Sequence, residues 1–461
     1  MPRTGARRMF LWSLAAAALL GTVRTRAELP EAYRRLWNDP AIRERIDRGI
    51  EQHRKGDAVV RLVSADGEPQ AGLAVRIEQR THAFLFGCNL FVLGQLDTPE
   101  ANRTYEERFL GLFNFATLPF YWAGTEPTEG ELRYAEGARH MWRRPPPQRL
   151  VAWCKANGVV AKGHPLLWHA HNPPWLPKDR AALERLYVKR FQEIAQRFAA
   201  DVRIWDVVNE SLVCPKSFPL FSEDRAYVAW AFEQVHRLFR PEDLLMINEV
   251  TGFSGRTDEG NPYYQQVKAL LGRGAGVEGI GFQFHFFNAG ALQGHLDGKT
   301  FRPAAMLDVY ERFAGLERPL YVTEITIPTV GPEGPEVQAR VAANLYRLWF
   351  SAPRMAGITW WNLGDGLAVK GENKAGGGLL NEDLEPKPSY HALDRLINHQ
   401  WKTRLEAKTD ERGEVRFRGF FGTYDVVVER PAGPQRLEIE HTPSGKGVHE
   451  CAVSGKARPE R

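Results

Sequence analysis

The sequence has little cysteine, and charge of neither sign dominates it. The chain of 461 residues holds four cysteines, far apart and with no CxxC pair, which argues against a zinc ribbon or a disulfide scaffold. Its 61 Lys+Arg against 56 Asp+Glu leave a net charge of +5, too diffuse to indicate a nucleic-acid partner. The remaining composition, 43% hydrophobic, is that of a globular protein and excludes a disordered or multi-spanning membrane chain.

The first 27 residues predict an export signal. Arg3, Arg7 and Arg8 form a basic start, and the apolar stretch from Met9 to Val23 is shorter than the roughly 20 residues of a membrane-spanning helix. The pattern from Arg7 fits a twin-arginine signal and a Sec signal alike, and the sequence leaves both routes open. We therefore expect a secreted or periplasmic protein, with no membrane segment once the signal is cleaved.

Three further segments follow the signal. Residues 28–83 predict a helix and a β-hairpin, whose strands lie between Asp57 and Ile77 on either side of a turn at Ala65–Glu68. Residues 84–399 predict the main domain. Residues 400–461 predict a small β element and a polar tail from Pro431.

The main domain alternates short apolar runs with helical patterns. The runs are Phe84–Cys88, Phe113–Leu118, Val159–His164, Val202–Asn209, Leu244–Asn248, Ile280–His285, Leu320–Ile325 and Ile358–Asn362. Eight buried strands that alternate with helices predict an α/β fold, a (β/α)8 TIM barrel.

Polar residues gather at the carboxyl ends of these runs, where such barrels keep their chemistry. They are His164, Asn209, Glu210, Asn248, Glu249, Gln283, His285 and Glu324. Structural polar residues would instead be scattered along the strands.

Two of the carboxylates form the main catalytic hypothesis. Strand alternation puts Glu210 on one face with Asp206 and Val208, and it puts Glu324 above the apolar Val322. Two carboxylates across a barrel mouth suit glycoside hydrolysis, in which one protonates the leaving oxygen and the other attacks or stabilises the anomeric carbon. The alternative for Glu210 is a surface residue that caps the next helix.

Gln283 and His285 are two residues apart and therefore predicted on one face of strand six. Gly279 and Gly281 beneath them leave room, and the histidine can hydrogen bond a carboxylate on strand seven and hold it ionised. The alternative is a structural histidine in the core.

A set of motifs appears in order along the barrel. They are Gly163–His169 (GHPLLWH), Trp205–Glu210 (WDVVNE), Gly279–His285 (GIGFQFH), Val322–Glu324 (VTE), Trp361 with Asp365, and Leu379-Leu380 before Pro386–Tyr390 (PKPSY). Together these motifs resemble those of glycoside hydrolase family 10, a family of endo-1,4-beta-xylanases, over roughly residues 84–398.

The resemblance implies a retaining mechanism in which Glu210 is the acid/base and Glu324 the nucleophile, about 5–5.5 Å apart. Asn209 would hydrogen bond the 2-hydroxyl of the sugar, and His285 would orient Glu324. The remaining predicted substrate-binding residues are His164, Trp168, Gln283 and Trp361. We expect a polysaccharide or oligosaccharide substrate, no cofactor and no metal; the oligomeric state is left open.

The sequence departs from the family pattern at the end of strand two. The family has a Glu-Asn pair and then Met-Lys-Trp there, whereas this chain reads Thr117–Trp122 (TLPFYW). His171 replaces a glutamine, and the glycine-rich segment Gly366–Gly378 replaces a second tryptophan. The two predicted catalytic glutamates are kept, whereas residues that bind the substrate in the family are replaced. This favours xylan or a related, decorated glycan as substrate.

Three alternatives accompany this hypothesis. Glu249 is a rival carboxylate, interpreted as part of the cleft wall. His169 and His171 form an HxH pair that a metal-dependent hydrolase could use. The third alternative is a secreted glycan-binding barrel that lost turnover.

Overall fold

The computed structural model describes residues 28–453 except positions 432 and 446. The predicted signal, residues 1–27, lies outside the described residues. Across the described part of the chain, no helix combines the length and apolar character needed to cross a membrane.

The described chain begins with two helices and two strands, α1 (Glu31–Trp37), α2 (Pro40–Arg54), β1 (Lys55–Val63) and β2 (Ala74–His82). The Asp39 side chain caps α2 by accepting a hydrogen bond from the Ala41 N–H. Ile42, Ile46 and Ile50 recur every four residues and are buried, so α2 packs one apolar face on the barrel.

The predicted barrel is confirmed. Nine parallel strands follow: β3 (Leu85–Asn89), β4 (Phe115–Pro119), β5 (Val160–His164), β6 (Leu167–Trp168), β7 (Ile204–Asn209), β8 (Leu244–Glu249), β9 (Gly279–His285), β10 (Leu320–Thr326) and β11 (Met355–Trp360). Eight of them coincide with the eight apolar runs, and β6 is a two-residue addition. Pairing of β5 with β7 closes the sheet.

Helices connect and surround the strands. They are α3 (Pro99–Leu110), α4 (Trp122–Thr125), α5 (Pro147–Ala156), α6 (Arg180–Phe198), α7 (Ala226–His236), α8 (Pro262–Gly272), α9 (Ala289–Leu296), α10 (Pro303–Ala314), α11 (Gly334–Ser351), α12 (Lys370–Asn373) and α13 (Pro388–Asp394). In α6, Asp179 caps the first turn, and Leu183, Tyr187 and Phe191 form the face that covers the barrel.

The interior of the barrel changes from apolar to polar along its axis. Phe115, Ile204, Met246 and Tyr321 form a buried apolar layer near the amino-terminal ends of the strands. The polar side chains described below lie closer to the carboxyl-terminal ends, which places the site at the open end of the barrel.

Five strands follow the barrel: β12 (Arg404–Lys408), β13 (Glu414–Phe420), β14 (Gly422–Val428), β15 (Gln435–His441) and β16 (Val448–Ala452). β13 and β14 agree with the predicted β element. β15 and β16 lie within the segment predicted as a polar tail, so the tail includes two strands that the sequence analysis did not predict.

The predicted hairpin is also wrong, although both of its strands exist. β1 pairs with β13 and β16, whereas β2 pairs with β12 and β14. Each strand has one apolar face, with Val60 and Leu62 on β1 and Val75 and Ile77 on β2, and the two faces meet in one buried cluster between the sheets. Because both faces are buried against each other, the strands pack face to face rather than edge to edge.

These two sheets form a β-sandwich. Its strands come from the chain segments that precede and follow the barrel in the sequence. The sandwich contacts the barrel near the start of β3 and β11, where Trp401 stacks on Phe350 at a ring-centroid distance of 4.1 Å. It therefore lies at the end of the barrel opposite the site, beside β3 and β11. The boundaries predicted near residues 83 and 399 stay predictions.

Candidate active site

The predicted site residues meet at one cleft at the carboxyl ends of the strands, of about 520 Å³, which we call the strand-end cleft. Its lining includes all eight of them: His164, Trp168, Asn209, Glu210, Gln283, His285, Glu324 and Trp361. The strands therefore bring together side chains that are distant in sequence.

Glu210 follows the last residue of β7 and enters the cleft through a sharp turn. Its backbone has a φ of 56°, in the left-handed region, and the 3-10 turn Ser211–Val213 follows directly. The Trp168 indole N–H donates to Oε2 at 3.1 Å and the Gln283 amide donates to Oε1 at 2.8 Å. Both carboxylate oxygens are thus held in place, and the partly exposed side chain can reach a bound molecule.

Glu324 on β10 is far more enclosed, with 4% of its surface exposed. The Asn248 amide donates to Oε1 at 3.0 Å, and His285 Nε2 lies 3.2 Å from Oε2. Burial raises the pKa of Glu324 to about 7, although His164 and Lys162 lower it by favouring the ionised form. The two carboxylates therefore occupy different environments, one partly open and one buried.

His285 contacts Glu324 as expected but does not stabilise it by charge. Burial lowers the pKa of His285 to about 4, so the ring is neutral at pH 7. Its Nδ1 lies 2.9 Å from the Thr326 hydroxyl, which can donate to it and leave Nε2–H to donate to the Glu324 carboxylate. A hydrogen bond donated by this neutral ring still favours the ionised carboxylate, and His164 and Lys162 act in the same direction through their charge. That His285 holds Glu324 ionised and orients it stays a prediction.

Lys162, Asp206 and His164 form a buried ion cluster beneath Glu324. Lys162 Nζ lies 2.6 Å from Asp206 Oδ2, and His164 Nδ1 lies 2.7 Å from the same oxygen. Burial opposes ionisation of Asp206, but Lys162 and His164 outweigh it and hold the pKa of Asp206 below its ordinary value. His164 Nε2 lies 4.0 Å from Glu324 Oε1, so this cluster also fixes the environment of that carboxylate.

Bulges alter the predicted strand faces. The register of β7 against β8 shifts between Asp206 and Val208, and Val208 joins the main hydrophobic cluster instead of sharing a face with Glu210. The register of β10 against β9 shifts between Val322 and Glu324. Simple alternation therefore failed on both strands, because an extra residue lies between Asp206 and Val208 on β7 and between Val322 and Glu324 on β10.

Asn248 links the two strands that carry the carboxylates. Its amide donates to Asn209 Oδ1 at 2.8 Å as well as to Glu324, and its own oxygen accepts from the Thr323 hydroxyl at 2.6 Å. A Cβ on Gly281 would lie 2.6 Å from the Asn248 oxygen, so glycine is required for this close approach. The sequence prediction named Asn248 at a strand end but gave it no role.

Glu249 is not part of the cleft wall, which corrects the sequence interpretation. It is fully buried, and its Oε1 accepts hydrogen bonds from the Ser211 hydroxyl at 2.7 Å and from the Leu212 N–H at 2.8 Å. Burial raises the pKa of Glu249 to about 7. Its contacts hold the turn that follows Glu210, so the residue supports the site from behind.

Several cleft residues were missed by sequence reasoning. They are Phe91, Tyr121, Arg143, Arg144, Val250, Thr251, Gly252, Phe287, Val369 and Glu372. Arg143 and Arg144 lie in the long connection between α4 and α5, and Val369 and Glu372 lie in the segment read only as glycine-rich. The length of the first connection was the available signal, since long ordered loops in compact domains are commonly functional.

The HxH pair does not gather metal ligands. Among residues 28–453 without 432 and 446, no three His, Cys, Asp or Glu side chains lie in an arrangement that could hold a metal ion. The Trp168 and His171 rings are 5.1 Å apart, and Asp365 is bound by Lys387 Nζ at 3.0 Å and by the Gly378 N–H at 2.7 Å. Packing and hydrogen bonding account for these side chains.

Comparisons with known proteins find relatives of this chain. A model of glycosyl hydrolase family 10 matches residues 122–395, well over half of the chain. The anti-sigma-I factor RsgI6 of Acetivibrio thermocellus is 24% identical over 86% of this chain and 47% of its own length. Endo-1,4-beta-xylanase B of Thermotoga neapolitana is 27% identical over 58% of this chain and 78% of its own length.

Solved structures share the fold. Xylanase 10B of Thermotoga petrophila in complex with xylobiose is 24% identical, with a TM-score of 0.57, and the match covers 69% of this chain and 95% of that one. The chain spans about half the length of the anti-sigma-I factor.

Proposed function

The chain belongs to glycosyl hydrolase family 10, and from this premise we propose that it hydrolyses β-1,4-linked plant-type polysaccharide, xylan or a related, decorated glycan. The observation that carries the proposal is the pair of carboxylates in the strand-end cleft, one partly exposed and one buried. The relatives from Thermotoga species are xylanases, which supports xylan as the backbone.

In the proposed retaining mechanism, Glu324 attacks the anomeric carbon as the sugar–oxygen bond breaks. Glu210 gives its proton to the leaving oxygen, and a glycosyl-enzyme ester forms on Glu324. Glu210 then takes a proton from water, which attacks the anomeric carbon and releases Glu324 as a carboxylate. The buried surroundings of Glu324 strip water from the nucleophile, and the Asn248 and His285 hydrogen bonds aim it.

The other predicted residues hold the sugar in this proposal. Asn209 lines the cleft beside Glu210 and can reach the 2-hydroxyl of the sugar being cleaved. Trp168 and Trp361 offer aromatic surface, and Gln283 positions Glu210. We also propose that the protein is exported, on the basis of the predicted signal in its first 27 residues.

The test is reducing-sugar release from a panel of xylan, arabinoxylan, glucuronoxylan, mixed-linkage glucan and an aryl β-xylobioside. Glu210→Ala and Glu324→Ala should each lower the rate by several powers of ten, or roughly 5 kcal/mol of transition-state stabilisation. Glu249→Gln is the matched control carboxylate, and it should retain far more activity. Release that survives in both alanine variants would contradict the mechanism, and binding without release from any substrate would favour a glycan-binding barrel.

A further inference from the structure

The strand-end cleft continues into a second cavity of about 640 Å³, which we call the cationic extension. The two cavities share Tyr121, Arg143, Arg144, His171 and Val369, so they form one continuous surface. The extension lies on the side where the strand-two end lacks the polar residues expected from the family resemblance.

The cationic extension is bordered by four cationic side chains, Arg143, Arg144, Lys370 and Lys374. Within the described part of the chain no carboxylate borders it, and none of the four makes an ion pair within 4.0 Å. Glu372 borders the neighbouring strand-end cleft, where its carboxylate accepts a hydrogen bond from the Asn362 amide at 3.0 Å. Its charge acts on both Arg143 and Arg144, but four cations against one carboxylate leave the local charge positive.

The two arginines are held in fixed positions. The Arg144 guanidinium lies 4.1 Å from the Tyr121 ring centroid, and its Nη1 donates to the Arg143 carbonyl at 2.7 Å. Arg143 Nη1 donates to Asn362 Oδ1 at 2.9 Å and to the Leu367 carbonyl. The Nε and Nη2 groups of Arg144 have no hydrogen-bond partner among the described residues, and this edge of a guanidinium matches the two oxygens of a carboxylate.

A neutral sugar would leave much of this charge uncompensated. Burial lowers the pKa of Arg144 to about 10, which reflects the cost of enclosing its charge. An anion recovers that cost, whereas hydroxyl groups compensate it only in part. Trp142, 45% exposed, adds apolar surface at the same cavity for a sugar ring.

We propose that the cationic extension is a subsite for an acidic sugar, a uronosyl unit whose carboxylate Arg144 and Arg143 bind. Lys370 and Lys374 are exposed and attract the anion through longer-range charge. This inference rests on the proposed function, because it assumes that a glycan occupies the strand-end cleft. The proposal identifies the substrate decoration as an acidic sugar, recognised where the strand-two end differs from the family pattern.

The test measures binding in the Glu324→Gln background by isothermal titration calorimetry, so that cleavage does not interfere. The probes are a glucuronosyl-substituted xylo-oligosaccharide and the unsubstituted oligosaccharide of the same backbone length. We expect the acidic probe to bind at least about tenfold more tightly, with the preference falling as salt is raised. Arg144→Gln should bring the ratio of the two affinities close to one, and Arg144→Lys should keep part of it.

Matched lysine variants separate local charge from net charge. Lys374→Met should reduce the preference about two- to threefold, since the lysine acts without a fixed hydrogen bond. Lys268→Met, at an exposed position on α8, removes the same charge away from the cleft and should leave the preference unchanged. An equal effect of the two lysine variants would overturn the local role of the extension.

Three further kinds of result would test the acidic-sugar subsite. Equal affinity for both probes, no binding of either probe, or an equal loss for both probes in Arg144→Gln would overturn the subsite. Tighter binding of a sulfated xylo-oligosaccharide than of the uronosyl probe would overturn its assignment to a carboxylate. A preserved preference for the acidic probe in a protein that cleaves nothing would support the subsite and contradict the proposed hydrolase instead.

Discussion

The catalytic centre and the cationic extension are adjacent parts of one surface, but they are organised in opposite ways. Around Glu210 and Glu324, each carboxylate oxygen has a donor or a histidine nitrogen within hydrogen-bond distance. In the extension, Arg144 and the two lysines lack ion-pair partners within the described chain. The hydrogen bonds of the catalytic carboxylates are complete without a ligand. The cations of the extension would find their charge partner in a bound acidic sugar.

The catalytic centre and the cationic extension are also held by different parts of the fold. The centre is carried by the ends of β7, β8, β9 and β10, which neighbouring strands hold on both sides. The extension is carried by the connection before α5 and the segment around α12. Loops tolerate change better than barrel strands, so substrate choice can vary here while the reaction is kept.

The largest of these expected effects is on stability and concerns the buried ions beneath the centre. Lys162→Met leaves Asp206 buried without its cation and should lower the free energy of unfolding by about 3–5 kcal/mol. The control is Lys155→Met, which breaks a surface pair with Asp201 and should cost less than about 1 kcal/mol. Denaturant unfolding measures both, and similar losses would show that the centre is not specially dependent on its buried ions.

The second prediction concerns pH. In the proposed mechanism Glu324 must be ionised to attack. Because burial raises its pKa to about 7, kcat/KM should fall as the pH drops below that value. One proton lowers the rate about tenfold per pH unit, so the loss between pH 7 and pH 5 should be about fiftyfold. This limb should be the same for neutral and acidic substrates; a limb that appears only with acidic substrates would place its origin in the extension.

The smallest of these effects is that of a single hydrogen bond in the centre. Trp168→Phe keeps a ring but removes the N–H that donates to Glu210, and kcat/KM should fall about tenfold for neutral and acidic substrates alike. Trp175→Phe removes an indole N–H that donates to the Glu126 carbonyl, and it serves as control. A loss confined to acidic substrates would contradict the division between the two regions.

Much of the barrel could be predicted from sequence because each barrel strand is buried on both faces. Continuous apolar runs that end in polar residues indicated the strands and the edge where the site lies. Residues such as Gln283 and Glu324 were therefore placed at one cleft before any contact was known.

The bulges, the strand partners and the loop residues of the cleft could not be predicted, because they depend on packing between distant parts of the chain. Alternation could not reveal the bulges near Asp206 and Glu324, since an extra residue changes the face without changing the composition. The apolar faces of β1 and β2 predicted strands but not partners, because a facing sheet and a neighbouring strand bury the same residues. Arg143 and Arg144 lie in a connection, where no periodicity distinguishes a cleft residue from a solvated one.

The β-sandwich has a consequence for how the chain folds during synthesis. β1 and β2 are made before the barrel, yet every strand they pair with is made after it. At ribosomal speeds their hydrogen-bonding edges remain unpaired on the order of tens of seconds until those partners are made. The last strands to be synthesised therefore determine when the first ones fold, and long-range pairing makes the sandwich a late event in the maturation of the protein.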